Sequence, residues 1–330
     1  MDNGARPPQL DPKLIERFRG DADRLWPAGE KLGVAVSGGP DSMALLLLAN
    51  AARPGMVEAA TVDHRLREES AAEAAMVSEL CKILGVPHRT LPVDVAAGNL
   101  QAEARNARYG ALDRWLAEQD LPTLATAHHA DDQVETFLMR LNRGSGVAGL
   151  SGIRPSGNVP GGSHRLIRPL LAWRKRELIE LLENAGADFA RDPSNRDQAF
   201  DRVKLRENLT DAGWLDIGAI ARSVTHLAEA DATIEWMAAH EWAGRVKRIG
   251  RKYVYRPAAP RTVRLRVVSR IIEELGGDLP GSGPRGSGIA RLLDRLEAGE
   301  QANLAGVLAS TVGDAWRFEP EPPRNTASQP

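Results

Sequence analysis

The chain has 330 residues, 42% hydrophobic and 26% charged, with a net charge of −1. That length suits about two globular domains with cores large enough to stand without staples. The single cysteine, Cys81, excludes an intrachain disulfide, a four-cysteine zinc site and an iron–sulfur cluster held by one chain, and it fits a reducing compartment. No apolar run approaches the ~20 residues of a membrane span. The N-terminus mixes Asp2, Asp11 and Glu16 with prolines and lacks a signal-peptide core, so a cytoplasmic protein with no membrane partner is expected.

Residues 1–25 read as a leader with a helix over Pro12–Leu25. Leu32–Val36 is a short apolar strand, followed by a Ser-Gly-Gly-Pro turn and a helix over Asp41–Asn50. Val57–Val62 is a second strand. In Ser70–Leu84, Met76, Val77, Leu80, Ile83 and Leu84 form one helical stripe, stopped by Gly85 and Pro87. Strands at His88–Val93 and Leu121–Ala127 alternate with helices at Asn99–Glu118 and Asp131–Leu141. Such alternation predicts an α/β fold with a mainly parallel, doubly wound sheet covered on both faces, and ligands at the carboxyl ends of its strands. Gly144–Gly162 reads as a long loop and Arg174–Ala185 as a helix, which gives a first domain over 26–215. A smaller, mostly helical and basic domain is expected over 216–320. It opens on a helix at Ile217–Trp242, has short strands at Tyr253–Arg256 and Trp316–Phe318, and a loop at Gly276–Gly288. The tail, 321–330, has the composition of a disordered segment.

Ser37-Gly38-Gly39-Pro40-Asp41-Ser42 joins the first strand to its helix. Two glycines let the backbone approach a phosphate and aim N–H groups at it, the Ser37 and Ser42 hydroxyls can donate, and the helix N-terminus favours an anion. Asp41 repels bare phosphate, so its natural task is to hold Mg²⁺ on a pyrophosphate group. There is no Gly-Lys-[Ser/Thr] ending, so this is not a Walker A loop. The bland alternative is a Ser/Gly turn with an acidic cap. Asp63 and His64, at the end of the second strand, are candidates for nucleotide contacts, or else a turn residue and a surface histidine.

A second constellation is Thr126-Ala127-His128-His129-Ala130-Asp131-Asp132-Gln133-Val134-Glu135-Thr136. At about 100° per residue, His128, Asp131, Asp132 and Glu135 share one side, and Val134, Phe137, Leu138 and Leu141 form the expected buried side. Three carboxylates with a histidine suit a cationic amine, a Mg²⁺ ion or proton transfer; the bland alternative is acids drawn to a helix N-terminus. Arg140, Arg143 and Gly144-Ser145-Gly146 follow, where RNA or phosphate can dock. Arg202 and Arg206 share a helical face that binds phosphate or is merely solvated. From Arg245 to Arg270 there are ten basic residues and no acidic one, among them Arg245, Lys247, Arg248, Arg251 and Lys252, with Tyr253 and Tyr255 interleaved. This pattern suits folded RNA or a solvated basic face.

The loop resembles that of the PP-loop ATP pyrophosphatases. The order of all the segments resembles one family among them, the tRNA(Ile)-lysidine synthetases. Val62-Asp63-His64-Arg65-Leu66-Arg67 follows the loop, then Asn99–Arg105 with Arg108-Tyr109, and the His-His-x-Asp-Asp-Gln-x-Glu-Thr run. Arg143-Gly144-Ser145-Gly146, Arg168-Pro169-Leu170-Leu171 and Asp192-Pro193-Ser194-Asn195 complete it. The likeness covers roughly residues 30–210. Arg65 stands where the family usually has Gly, and the chain has room for one C-terminal domain where longer members have two. The resemblance implies an adenine nucleotide α-hydrolase-like fold and a ligase using ATP and Mg²⁺. The expected reaction joins L-lysine to C2 of the wobble cytidine of a tRNA(Ile) with a CAU anticodon, through an adenylated cytidine, releasing AMP and pyrophosphate. It further implies that Ser37, Gly38, Gly39, Pro40 and Ser42 hold phosphates and Asp41 holds Mg²⁺. Asp63 and His64 would meet the nucleotide, and Asp41, His129, Asp132 and Glu135 carry catalysis. Asp131, Asp132, Glu135, Arg143, Arg202 and Arg206 would bind substrate; Arg105, Arg108, Arg245, Lys247, Arg248, Arg251 and Lys252 would bind RNA. A homodimer is an expectation from the family alone. Other readings are a PP-loop tRNA thiolase, which the lone cysteine opposes, and an ATP-binding module without chemistry, which the extra carboxylates oppose.

Overall fold

The computed structural model describes residues 7–64, 69–94, 100–190, 205, 214–276 and 286–321. The chain divides into two compact units, Met1–Ala228 and Glu229–Pro330. No helix among the described residues is long and apolar enough to cross a membrane.

The first unit is built on a six-stranded sheet in the order β3-β2-β1-β4-β6-β5. Strands β1 (Leu32–Ala35), β2 (Val57–Asp63), β3 (His88–Pro92), β4 (Thr123–Ala125) and β6 (Arg165–Ile167) are parallel; β5 (Ser156–Asn158) is an antiparallel edge. Its helices are α1 (Pro12–Ala22), α2 (Pro40–Ala52), α3 (Glu69–Leu84), α4 (Leu100–Glu118), α5 (Ala130–Leu141), α6 (Val147–Leu150) and α7 (Lys175–Ala185). Separate cores cover the two faces of the sheet. One gathers Phe18, Trp26, Leu45, Leu46, Val77, Trp173 and Leu178; the other gathers Tyr109, Leu112, Trp115, Leu116, Leu124 and Leu166. Adjacent Ala59 and Ala60 of β2 fall into opposite cores, as strand alternation requires.

Helix α2 is buried from Ser42 to Ala49, because its sequence is apolar all round. The N-terminal segment read as a leader is part of this core: Phe18 of α1 and Trp26 are fully buried, and Arg19 donates to the Ala52 carbonyl at the end of α2. Gly33 has a packing reason. A Cβ there would lie 2.6 Å from Leu116 Cδ2 and 2.8 Å from the Trp115 ring, so glycine lets α4 press against β1.

The stretch expected as a loop over 144–162 contains α6 and β5, and β6 follows it unforeseen. Ser156–Asn158 has no apolar residue, and three-residue β6 lies just beyond a Gly/Ser/Pro-rich stretch, so neither stands out as a strand. Gln133 holds this segment to α5 by accepting from the Ile153 N–H at 2.6 Å and donating to its carbonyl at 2.9 Å.

The division between units falls within α8 (Ile217–Arg245). The second unit pairs α9 (Arg261–Leu275) and α10 (Gly286–Glu297) with a five-stranded antiparallel sheet in the order β7-β8-β11-β10-β9. Its strands are β7 (Val246–Ile249), β8 (Lys252–Tyr255), β9 (Ala302–Leu304), β10 (Val307–Val312) and β11 (Ala315–Pro320). Only β8 and β11 have counterparts among the strands read from sequence, so this unit is a helix-and-sheet body.

Candidate active site

The order of the sheet places the two motifs side by side. Strands β1 and β4 are neighbours, with Leu32 opposite Thr123 and Val34 opposite Ala125. Neighbouring strands lie about 4.8 Å apart, so the connections leaving their carboxyl ends, 36–39 and 126–129, emerge next to each other. Here the strand order also reverses, which opens a crevice.

In the phosphate loop Gly38 has φ +84°, a conformation that side chains disfavour. The Ser42 hydroxyl accepts from the Ser37 N–H at 3.0 Å and donates to the Gly39 carbonyl at 3.0 Å. Gly39 caps α2 without a side-chain hydrogen bond, and Pro40 stands in the first turn. The first-turn N–H groups therefore remain for an anion.

Helix α5 starts at Ala130 with His129 as its N-cap. His129 Nδ1 accepts from the Asp132 N–H at 3.4 Å, and Asp132 Oδ2 accepts from the His129 N–H at 3.0 Å. Capping thus accounts for part of what Asp132 does. The His129 ring is 3% exposed, and its Nε2 lies 3.5 Å from both Asp41 Oδ2 and Asp132 Oδ2. Burial alone would depress its pKa, but the hydrogen bond to Asp41 and the charges of Asp132, Asp41 and Asp131 outweigh burial and raise it. Asp41 Oδ1 is buried with no hydrogen-bond partner. An oxygen in that state fits a cation. Among the described residues no group of three or more His, Cys, Asp or Glu is placed to hold a metal, so a Mg²⁺ at Asp41 would take further oxygens from phosphate and water.

His128 stands near Asp132, whose charge acts on it, but not through the helical periodicity that groups them in the sequence. It precedes the N-cap, where the backbone is extended (φ −127°, ψ −179° at His129), so the helical screw does not reach it. Its Nδ1 pairs with the Thr126 hydroxyl at 3.1 Å. Burial, with Arg168, Arg108 and Arg105 and against Asp132, pushes its pKa down to about 4. The buried side of α5 also differs from expectation. Ala130, Gln133, Val134 and Glu135 are buried, Phe137 and Leu138 are half-buried and Leu141 is 50% exposed.

Arg105 and Arg108 flank this region, each guanidinium 5.0 Å from the buried Tyr109 ring. His64, at the end of β2, has a buried Nδ1 without a hydrogen-bond partner; burial and Arg108 lower its pKa against the pull of Asp63. Arg168 belongs to the same basic group, although nothing in its sequence surroundings marks it as a site residue. Its own pKa is lowered by burial and Arg105, against Tyr109.

Asp131, expected among the substrate ligands, has its oxygens engaged elsewhere. They accept from Arg174 Nε at 3.3 and 3.2 Å, from Arg174 Nη2 at 3.1 Å and from the Lys175 N–H at 2.8 Å. Its pKa is lowered, Arg174 overcoming the effect of burial. Arg140 braces the following loop through the Gly149 and Gly152 carbonyls, and Arg143 is exposed in the turn after α5. Arg202 and Arg206, like Arg65 and Asp192–Asn195, lie outside the described residues.

In the second unit the basic run is largely balanced by carboxylates that lie outside it. Lys252 pairs with Glu319, Arg256 with Asp314, Arg261 with Asp294 and Glu297, Arg264 with Glu297, Arg266 with Asp231 and Glu235, and Arg270 with Glu274. Arg245, Lys247, Arg248 and Arg251 are exposed on and around the β7–β8 hairpin. Tyr253 and Tyr255 cannot stack on RNA bases as expected, because strand alternation turns both into the core, at 4% and 0% exposure.

The fold and the loop together define a nucleotide-binding protein of the PP-loop class, and the model of the PP-loop domain matches residues 14–212. A U34-tRNA thiolase from Methanococcus maripaludis, which carries a 4Fe–4S cluster, has a similar fold. It superposes with a TM-score of 0.55 at 18% identity over 66% of this chain and 79% of that one. The tRNA(Ile)-lysidine synthase of Novosphingobium aromaticivorans is 44% identical, covering 95% of this chain and 96% of that protein. The enzyme of that name from Zymomonas mobilis is 41% identical, covering 91% and 92%. The chain belongs to the tRNA(Ile)-lysidine synthase family. The lone cysteine is buried in α3, its thiol pushed up to about 12, the opposite of what thiolate chemistry requires.

Proposed function

We propose that this chain joins L-lysine to C2 of the wobble cytidine of a tRNA(Ile) with a CAU anticodon and uses ATP, with Mg²⁺, to do so. The observation that carries the proposal is the meeting of the phosphate loop with the start of α5, where Asp41 and Asp132 each place an oxygen 3.5 Å from Nε2 of His129. Ser37, Gly38, Gly39, Pro40 and Ser42 cradle the phosphates, and Asp41 holds Mg²⁺, which neutralises phosphate charge. Asp63 and His64 meet the adenosine, the open His64 Nδ1 supporting that role.

The cytidine leaves its stack, as loop bases can. Its O2 attacks the α-phosphorus of ATP and pyrophosphate departs, leaving C2 bonded to a good leaving group. The lysine ε-amine then attacks C2, and AMP leaves with the former O2. A free amine of pKa ~10.4 must first lose a proton. Asp132 and Glu135 bind the ammonium, and the Asp41–His129–Asp132 cluster accepts the proton. Arg143, Arg202 and Arg206 bind the lysine carboxylate or RNA phosphate. Arg105 and Arg108 carry the nucleotides nearest the site, and Arg245, Lys247, Arg248, Arg251 and Lys252 the tRNA backbone. In this reading 26–215 is the catalytic domain and 216–320 the tRNA-binding one, working in the cytoplasm. The test is the stoichiometry of products. One AMP and one pyrophosphate should appear per lysine joined to RNA, with AMP released only when all three substrates are present and pyrophosphate limited to one per tRNA when lysine is left out; AMP formed with no lysine in the RNA would refute the reaction.

A further inference from the structure

Among the described residues, the phosphate loop lies close to carboxylates and has few cations to offer a polyanion. Asp41, Asp131 and Asp132 all approach within 3.7 Å of a ring nitrogen of His129. Two basic residues enter from the start of α7, and they differ in what they are free to do. Arg174 is spread across Asp131 by Nε and Nη2, so its charge is spent. Lys175 has only its main chain fixed, its N–H donating to Asp131 Oδ2 at 2.8 Å. Its side chain is 41% exposed, and Nζ lies 3.8 Å from Asp41 Oδ2, at the loose limit of an ion pair. A half-exposed contact of that length is weakly held, so the ammonium can leave Asp41 for a phosphate oxygen.

We propose that Lys175 is the residue that holds the pyrophosphate part of ATP. Asp131 is its positioning residue: it ties the first turn of α7 to the first turn of α5 and neutralises Arg174. This inference rests on the PP-loop reading of the site. As the bond from the α-phosphorus to the oxygen that bridges it to the β-phosphorus breaks, the electron pair moves to that oxygen and pyrophosphate departs. An ammonium fixed beside the departing group stabilises that charge. Asp41, if it held Mg²⁺, would no longer be free to face Lys175, which would leave the ammonium to the phosphate.

Calorimetric titration of the whole protein with inorganic pyrophosphate and Mg²⁺, and separately with AMP, tests the assignment. Lys175→Ala should weaken pyrophosphate binding about tenfold, the effect of one charge-assisted hydrogen bond, and leave AMP binding unchanged. Lys175→Arg should keep most of the affinity. Asp131→Asn should weaken pyrophosphate binding while the KM for lysine stays put. Equal pyrophosphate affinity in wild type and Lys175→Ala overturns the assignment, as does an equal loss for pyrophosphate and AMP. A rise in the lysine KM of Asp131→Asn overturns the positioning role. If the wild type binds no pyrophosphate, the phosphate-loop reading itself falls, a result distinct from the others.

Discussion

His128 and His129 are adjacent in the chain and shifted in opposite directions. His129 is raised by the carboxylates it faces, and His128 is held at about 4 by burial and three arginines. The consequences for stability have opposite signs. Below pH ~6.5 the unfolded chain protonates its residue 128 while the folded one does not. Stability is therefore lost as pH falls from 6.5 toward 4, by up to about 3 kcal/mol, and His128→Gln should flatten that slope in thermal melts. His129 adds stability that is complete below ~6.5 and disappears as pH rises through its folded value, so His129→Gln should cost most at acid pH. Asp132→Asn tests the lysine pocket: the KM for lysine should rise about tenfold or more and that for ATP much less, and equal shifts would refute the assignment. At this scale Asp41, His129 and Asp132 were legible, because each stands at a strand-to-helix junction within a run of unusual chemistry. The engagement of Asp131 by Arg174, 43 residues away, was not, because nothing local in the sequence specifies a partner that distant.

Among the elements, the site exists because β1 and β4 are neighbours although α2, β2, α3, β3 and α4 separate them in the chain. Gly33 sits in β1 beneath α4, and adding one methyl group forces Leu116 and Trp115 to move. Gly33→Ala should destabilise the protein by about 1–3 kcal/mol in urea unfolding, the usual cost of overpacking; no loss would mean α4 packs less closely than described. The alternation of strands with helices in the first unit could be read because its strands lie in apolar runs, such as Leu32–Val36 and Val57–Val62, set between long helical patterns. The registers, β5, β6 and three of the five strands of the second unit could not. Segments of three to six residues carry too few side chains for a pattern, and their pairing partners come from far along the chain.

For the molecule as a whole, a net charge of −1 conceals a basic hairpin. Replacing Lys247, Arg248 and Arg251 by alanine should weaken tRNA binding and lower the slope of log Kd against log salt by somewhat under one per lost phosphate contact. The ATP KM should not change. If tRNA affinity holds, the hairpin is simply a solvated face. The most direct test of the central claim supplies the protein with ATP, Mg²⁺, labelled lysine and either an unmodified CAU-anticodon tRNA(Ile) transcript or a methionine tRNA with the same anticodon. The account predicts label in the isoleucine tRNA alone, with AMP and pyrophosphate in equal amounts. Label in neither RNA, or in both alike, would contradict it.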